Sequence, residues 1–302
     1  MVSRMRAMTA AVVGATALLV LWSPGPIVRA EGRVQASAQA AGLKVFISVD
    51  MEGLAGVVTG NEVNVNGPDY AHFRTIMVGE TNAAIEGAAA AGAVEFLVRD
   101  SHGGKRNLLP GEVDSRARLL RGANAGPKNM MEGIDESFDA VIFLGYHARA
   151  GTPNAILEHT SNGNVIDFSI NGVSMPEAGY NALVAGLYDV PVAFVSGDQA
   201  FVDQAREVLG PVGVVATKQE IDDAVLSLSP AEAQDQIREG VEQALQNLDR
   251  VRPYKLSSPY TMVLQVRNEK PLYGNARRTA PGESTFVHAD LFEILNAFNA
   301  MK

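Results

Sequence analysis

The sequence contains no cysteine, so the chain can form neither a disulfide bond nor a thiolate metal site. Any bound metal ion must therefore take its ligands from histidine, aspartate or glutamate. Basic residues are also few, because 25 lysines and arginines stand against 34 acidic residues and leave a formal charge of −9. Phosphate binding requires a basic surface, so nucleic acid is not an expected partner.

A long apolar run is missing as well. The longest one, residues 10–22, is shorter than the ~20 residues that a membrane-spanning helix needs. Arg4 and Arg6 precede it, and two prolines and the small residue Ala30 follow it. This order predicts a cleaved secretory signal peptide over residues 1–30, with an uncleaved membrane anchor as the alternative. We expect an exported protein, periplasmic or secreted, with no stable membrane association after cleavage.

The remainder of the chain is predicted to form one large α/β domain. Residues 31–42 are small and polar, which is typical of a flexible lead-in, and residues 43–302 then form the domain. Near-continuous apolar runs predict strands at 44–49, 95–99, 140–145, 192–196 and 213–217. Amphipathic stretches predict helices at about 70–91, 177–187, 199–209 and 230–249. Such alternation indicates a mainly parallel central sheet flanked by helices.

Two segments depart from this alternation. Residues 165–175 alternate in polarity around Asn171-Gly172, which predicts an inserted β-hairpin with a type I′ turn. Another strand at about 260–267 precedes a segment rich in glycine, proline and arginine, 271–283, and a last helix at about 289–300. These elements predict a smaller C-terminal α+β portion, with a possible subdomain from about residue 255.

Residues that bind metals well follow three of the predicted strands: Asp50 and Glu52 after 44–49, His102 after 95–99, and His147 after 140–145. The carboxyl ends of parallel strands meet at one edge of a sheet, so these side chains are expected to lie together. Taken singly, each has an ordinary alternative as a helix cap, a turn residue or a hydrogen-bonding histidine. Their combination predicts a metal site for zinc, with manganese and iron as alternatives.

Two further residues are candidates for the same site. Glu177 stands in the first turn of a predicted helix, where it could also serve only to complement the helix dipole. His159 lies in a loop beyond His147 and could act as a general acid or base. His72 falls on a predicted helix with no acidic partner in view, and His288 lies between Val287 and Ala289 near the C-terminus, so we interpret both as structural.

Other catalytic motifs are absent. The sequence has no His-Glu-x-x-His helix, no Gly-x-Ser-x-Gly elbow and no complete phosphate-binding loop. Gly103-Gly104-Lys105 matches a fragment of such a loop, but the first glycine and the following serine or threonine are missing. A metal-assisted hydrolase is therefore favoured over a serine hydrolase or a nucleotide-binding protein.

Several motifs in one order resemble the DppA-type D-aminopeptidases, a zinc-dependent, self-compartmentalising family. They are 48–53 (Ser-Val-Asp-Met-Glu-Gly), 100–102 (Asp-Ser-His), 143–150 (Phe-Leu-Gly-Tyr-His-Ala-Arg-Ala), and Glu177 followed by Gly179 and Asn181. The likeness continues through 181–186, 189–192, 228–230 and 281–282 to the last helix. It covers essentially all of residues 44–302.

The resemblance implies a site with two zinc ions per subunit, whose ligands fall on Asp50, Glu52, His102, His147 and Glu177. It also implies that Asp50 bridges the metals and that His159 is the catalytic histidine. Family members are homo-oligomers that stack rings around a channel, and their substrates are short peptides with an N-terminal D-residue, typically D-alanine. This chain is thus expected to be a ring-forming aminopeptidase of that kind.

Alternatives from the residues remain open. An aminopeptidase for L- or glycyl peptides, or another two-metal hydrolase such as an amidase or phosphatase, could use the same ligands. The phosphatase version has one candidate phosphate-binding residue, Arg149 beside His147. A non-enzymatic alternative is an exported solute- or metal-binding protein, although the sequence shows no duplicated second lobe.

Overall fold

A computed structural model describes residues 42–123 and 126–302 of the protein. The predicted signal peptide, residues 1–30, and all of the lead-in except Gly42 lie outside the described residues. In the part that is described, no helix combines the length and apolar character needed to cross a membrane.

The elements are numbered here in chain order. The strands are β1 Leu43–Val49, β2 Ala93–Asp100, β3 Ala117–Leu120, β4 Ala140–Tyr146, β5 Val165–Ile170, β6 Val173–Ser174, β7 Val192–Asp198, β8 Gly213–Ile221, β9 Ala224–Ser227, β10 Tyr260–Val266, β11 Arg277–Ala280 and β12 Glu283–His288. The α-helices are α1 Gly60–Val63, α2 Tyr70–Ala90, α3 Glu177–Leu187, α4 Gln199–Leu209, α5 Pro230–Gln246 and α6 Leu291–Met301.

A seven-stranded sheet with the order β3-β2-β1-β4-β7-β8-β9 forms the centre of the domain. All neighbours in it pair in parallel except β9, which runs antiparallel to β8. Alternate side chains of β1 pack on opposite faces, with Val45 and Ile47 towards the cluster that includes α2 and α5, and Phe46 towards α3 and α4. Burial on both faces explains the continuous apolar runs and confirms the predicted mainly parallel α/β fold.

The predicted hairpin is part of a second, antiparallel sheet with the order β11-β12-β10-β5-β6. Its turn has positive φ at Asn171 (53°) and Gly172 (80°), which is the type I′ pattern. Strand β10 pairs with β5, so the hairpin and the C-terminal portion share one sheet. Helix α6 covers this sheet, where Phe298 stacks on Phe168 with ring centroids 3.9 Å apart.

The sheet order fixes where the functional side chains gather. Strand β1 lies between β2 and β4, and Val49 is in register with both Asp100 and Leu144. Strands β1 and β2 therefore end level with one another, and β4 continues slightly further, to Tyr146. The residues that follow them enter the same space beyond the carboxyl edge of the sheet.

Candidate metal centre

Asp50 continues the path of β1 beyond its end. Its N–H donates to the carbonyl of Leu144 at 2.8 Å, which holds the residue against the end of β4. Gly145 makes this close approach possible, because it has φ of +65° and a Cβ there would lie 2.3 Å from the carbonyl oxygen of Asp50. The Asp50 carboxylate is thereby fixed at the sheet edge and buried.

Glu52 lies on the loop 51–57, whose backbone carbonyls accept hydrogen bonds from buried polar side chains of β8. Lys218 of β8 donates to the carbonyls of Glu52 and of Val57, the latter at 2.6 Å. Thr217 donates to the carbonyl of Gly53 at 2.6 Å. These bonds restrain the loop backbone at Glu52 and at two residues that follow it, and the Glu52 carboxylate is also buried.

His102 follows β2 on a loop shaped by Asp100, whose carboxylate accepts the backbone N–H of Asn107 at 2.6 Å. The His102 Nε2 lies 2.8 Å from the carbonyl oxygen of Val63, which can only accept a hydrogen bond. Nε2 therefore carries a proton, and Nδ1 is the ring nitrogen that faces the site. Nδ1 lies 3.1 Å from Asp50 Oδ1 and 3.1 Å from Glu52 Oε2.

His147 is fully buried and is oriented in the same manner. Its Nδ1 lies 3.0 Å from the carbonyl oxygen of Ala148, so Nδ1 carries the proton. Its Nε2 has no hydrogen-bond partner within residues 42–123 and 126–302. That atom lies 3.8 Å from Asp50 Oδ2 and 4.0 Å from Glu177 Oε1.

Glu177 and His159 complete the cluster. Glu177 begins α3 and accepts the backbone N–H of Ser161 at 2.6 Å, so its role goes beyond complementing the helix dipole. The Nδ1 atom of His159 lies 2.9 Å from the carbonyl oxygen of Leu157, and its Nε2 atom lies 3.9 Å from Glu177 Oε1. Its side chain is 27% exposed, whereas that of His147 is not exposed at all.

The Asp50 carboxylate lies between two histidines of the cluster. Oδ1 of Asp50 faces His102, and Oδ2 faces His147. Ligand atoms within 4.8 Å of one another also form two groups that share His147, namely Asp50, Glu52 and His147, and His147, His159 and Glu177. A buried imidazole nitrogen without a hydrogen-bond partner, placed among carboxylates, fits a cation such as zinc. The residues present therefore suit the expected metal.

The ionisable groups of the cluster shift one another's pKa values. Burial and the neighbouring Glu52 carboxylate raise the pKa of Asp50 to about 6, although the His102 hydrogen bond and charge act in the opposite direction. Burial would also raise the pKa of Glu52, but the charge and hydrogen bond of His102 hold it well below its usual range. Burial opposes protonation of His102, yet the facing carboxylates raise its pKa well above the usual value. The site thus has a negative potential that favours bound cations.

A cavity of about 340 Å³ opens onto this cluster. Asp50, Glu52, His102, His159 and Glu177 line it, while His147 lies behind them. Its other lining residues are Ser101, Gly103, Lys105, Ala123, Asn129, Met130, Ser161, Tyr180 and Lys302.

Comparison with known proteins decides the family. The sequence profile described as D-aminopeptidase matches residues 43–300. The chain belongs to the D-aminopeptidase family. A D-aminopeptidase of Bacillus subtilis (strain 168) is 39% identical over 267 residues, which span 86% of this chain and 95% of that protein.

A solved structure of this family has the same fold. It is described as the Zn-dependent D-aminopeptidase DppA from Bacillus subtilis, a self-compartmentalizing protease. The TM-score is 0.81 at 35% identity, and the match covers 85% of this chain and 95% of that one. The predicted family, fold class and class of enzyme, a metallopeptidase-type hydrolase, are thereby confirmed.

The structure brings all the candidate site residues of this D-aminopeptidase-family chain together. The five expected ligands and His159 surround one point beyond the sheet edge. His72 is exposed on α2, and His288 ends β12 on the second sheet, so neither joins the cluster. The individual roles of Asp50 as bridge and of His159 as catalyst stay predictions.

Sequence reasoning did not select several lysines near the site. Lys105 and Lys302 line the cavity, and Lys218 supports the loop of Glu52. Lys105 follows Gly103-Gly104, and this pattern resembles only an incomplete phosphate loop. Lys218 is a charged residue directly after the predicted apolar strand 213–217, and this position is the sequence feature that could have identified it.

Proposed function

We propose that this protein is a two-zinc aminopeptidase that hydrolyses short peptides with an N-terminal D-residue such as D-alanine. The observation that carries the proposal is the division of the Asp50 carboxylate between two histidines, with Oδ1 towards His102 and Oδ2 towards His147. A carboxylate shared in this way suits a pair of neighbouring metal ions better than one. The D-aminopeptidase names of its relatives support the choice of substrate.

The five expected ligands can be assigned to two metal ions. His102, Glu52 and one oxygen of Asp50 would hold the first, and His147, Glu177 and the other oxygen of Asp50 would hold the second. When bound, zinc would activate a water molecule near neutral pH and polarise the scissile carbonyl. The backbone acceptors of Val63 and Ala148 fix the histidine tautomers that such binding needs.

His159 is placed to move a proton. Its Nδ1 is held by the carbonyl of Leu157, so the lone pair of Nε2 faces the cavity beside Glu177. Partial exposure lets this nitrogen reach substrate, which the buried His147 cannot do. We assign His159 either to protonate the leaving amine or to stabilise the oxyanion that develops on the scissile carbonyl.

The cavity suits a short peptide. Its volume of about 340 Å³ is at the small end of the ~300–1,000 Å³ range of small-molecule sites. Three carboxylates at its base provide a negative potential that attracts a free N-terminal amine as well as metal ions. Together these features favour an exopeptidase with small substrates over an enzyme for long chains.

Assembly and location complete the proposal. The relative of known structure is described as a self-compartmentalizing protease, and we extend this to a ring-forming homo-oligomer of the present chain. We also propose export to the periplasm or medium, on the sequence pattern of residues 1–30. Light scattering of the purified protein tests the first, and N-terminal sequencing of the secreted form tests the second.

A substrate panel tests the proposed reaction. The zinc-loaded protein is assayed on D-Ala-D-Ala, L-Ala-L-Ala, Gly-Gly and p-nitrophenyl phosphate, with the His102→Ala variant as the control for contaminating activity. D-selective cleavage that the variant lacks supports the proposal. Preference for L-Ala-L-Ala or Gly-Gly would replace the substrate, and phosphatase activity alone would replace the reaction.

A further inference from the structure

Two lysines bring ammonium groups to the cavity and are not needed to hold a metal. Lys105 is 7% exposed, and its Nζ donates to the carbonyl of Ser101 at 2.7 Å. Lys302 is half-buried, and its Nζ donates to Ser161 Oγ at 2.5 Å and to Asn299 Oδ1 at 2.7 Å. Every one of these acceptors is a neutral oxygen.

Neither ammonium group has a carboxylate partner within 4.0 Å among the residues that the structure describes. Both ammonium groups are hydrogen-bonded to neutral oxygens at the edge of one cavity, an arrangement that an anionic ligand would stabilise.

Both lysines are tied to segments that also hold metal ligands. Lys302 donates to Ser161, and the backbone N–H of Ser161 donates to Glu177. Lys105 follows His102 on the same loop, where its backbone N–H donates to the carbonyl of His102 at 2.8 Å. The ammonium groups therefore stand beside the metal ligands in a cavity of about 340 Å³.

A short peptide with its N-terminal end at the metal cluster has a carboxylate at its other end. A cavity of about 340 Å³ holds only a short peptide, so the carboxylate of a di- or tripeptide would lie close to the lysines that line it. A longer or amidated peptide would leave the ammonium groups without an anion. Charge-assisted hydrogen bonds from lysine to carboxylate are stronger than neutral ones, so the difference would be measurable.

We propose that Lys105 and Lys302 form a carboxylate subsite that binds the C-terminal carboxylate of a di- or tripeptide. The enzyme would then select short peptides by both of their ends. This inference rests on the proposed aminopeptidase function, but the subsite and the reaction can fail separately.

The test compares D-Ala-D-Ala with D-Ala-D-Ala amide in wild type, Lys105→Met, Lys302→Met and Lys302→Arg. Wild type should prefer the free acid by at least about tenfold in kcat/KM. Either methionine variant should lose at least about tenfold on the acid, mainly through KM, and little on the amide. Lys302→Arg should retain most of the preference. Lys270→Met, in a distant exposed position, is the matched control.

Binding provides a readout independent of turnover. Calorimetry on the zinc-loaded His159→Ala enzyme should show tighter binding of the acid than of the amide, and adding Lys302→Met should remove the difference. If Lys105→Met does not fold, the Lys302 variants still test whether the carboxylate subsite exists. Equal use of acid and amide by wild type, or a preference unchanged in Lys302→Met, overturns the subsite and leaves the reaction standing. Cleavage of neither peptide overturns both.

Discussion

The imidazole rings of His147 and His159 stack face to face, with centroids 4.0 Å apart and planes 14° from parallel. Both rings donate from Nδ1 to a backbone carbonyl and turn Nε2 towards the carboxylate of Glu177. The stacked rings therefore place two Nε2 atoms side by side, 4.0 Å and 3.9 Å from the same Glu177 oxygen.

From this arrangement we predict that His159→Ala keeps its metal and loses turnover. In the proposed mechanism His159 transfers a proton, and such transfer contributes about 100- to 10,000-fold to rate. The measurement is kcat on D-Ala-D-Ala together with zinc content by mass spectrometry. His72→Ala, on the exposed face of α2, is the control and should retain both. Full activity of His159→Ala would remove His159 from the mechanism.

A complementary loss is expected for His102→Ala. The variant removes the nitrogen that faces Asp50 Oδ1 and Glu52 Oε2, so the first ion loses its imidazole ligand while the set around His147 stays intact. We predict that bound zinc falls from about two to about one per chain and that activity falls with it. Unchanged zinc content after dialysis would contradict the assigned ligand set.

Lys218→Met tests the support of the metal-binding loop. Lys218 donates to the carbonyls of Glu52 and Val57 from a position that is 3% exposed, so methionine leaves both acceptors without this donor. A buried carbonyl left without its donor costs about 1–3 kcal/mol of unfolding free energy. Zinc affinity should weaken too, because the backbone of Glu52 is released.

Lys255→Met is the matched control for that experiment. Lys255 is another lysine with a hydrogen-bond partner, Asp189, but both side chains are more than half exposed. Its loss should cost at most about 1 kcal/mol. Urea unfolding of both variants, with zinc titration, gives the comparison. An equal cost for the two variants would show that the buried position of Lys218 is unimportant.

Stability should also depend on pH through Glu80, a fully buried residue of α2 that accepts the N–H of Ala55. Burial raises the pKa of Glu80 from 4.5 to about 7. The protonated side chain therefore contributes stability that is fully present below pH 4.5 and is lost as pH rises through about 7.

The Glu80→Gln variant isolates this effect, since it keeps the carbonyl oxygen and cannot ionise. Its unfolding free energy relative to wild type should increase by up to roughly 3 kcal/mol as pH rises from about 4.5 to about 7. Glu86→Gln, at an exposed position of the same helix, serves as the control. A difference between Glu80→Gln and wild type that does not change with pH would contradict the prediction.

Much of the central sheet could be predicted because its strands are apolar on both faces. The same pattern located Asp50, Glu52, His102 and His147, since residues after adjacent parallel strands must meet. The short strands β3 and β9 were missed, because each has four partly exposed residues and is defined by its partner rather than by its own pattern. Strand β12 similarly follows a segment whose composition suggests only turns.

The lysine subsite could not be predicted, because its members are far apart in sequence. Lys302 reaches the cavity only because α6 packs on the second sheet through the stacking of Phe298 on Phe168. No local pattern encodes that contact. The partnership of β5 with β10 is a similar case, since the hairpin and the C-terminal strand are recognisable separately but not as neighbours.

The central claim is a pair of zinc ions that catalyses cleavage of D-peptides. The most direct measurement is zinc per chain in protein purified without chelator, followed by activity on D-Ala-D-Ala during stepwise zinc removal and return. We predict about two zinc ions per chain and activity that is lost on removal and restored by zinc. A folded protein that binds no zinc, or cleaves the dipeptide equally well without it, would contradict the account.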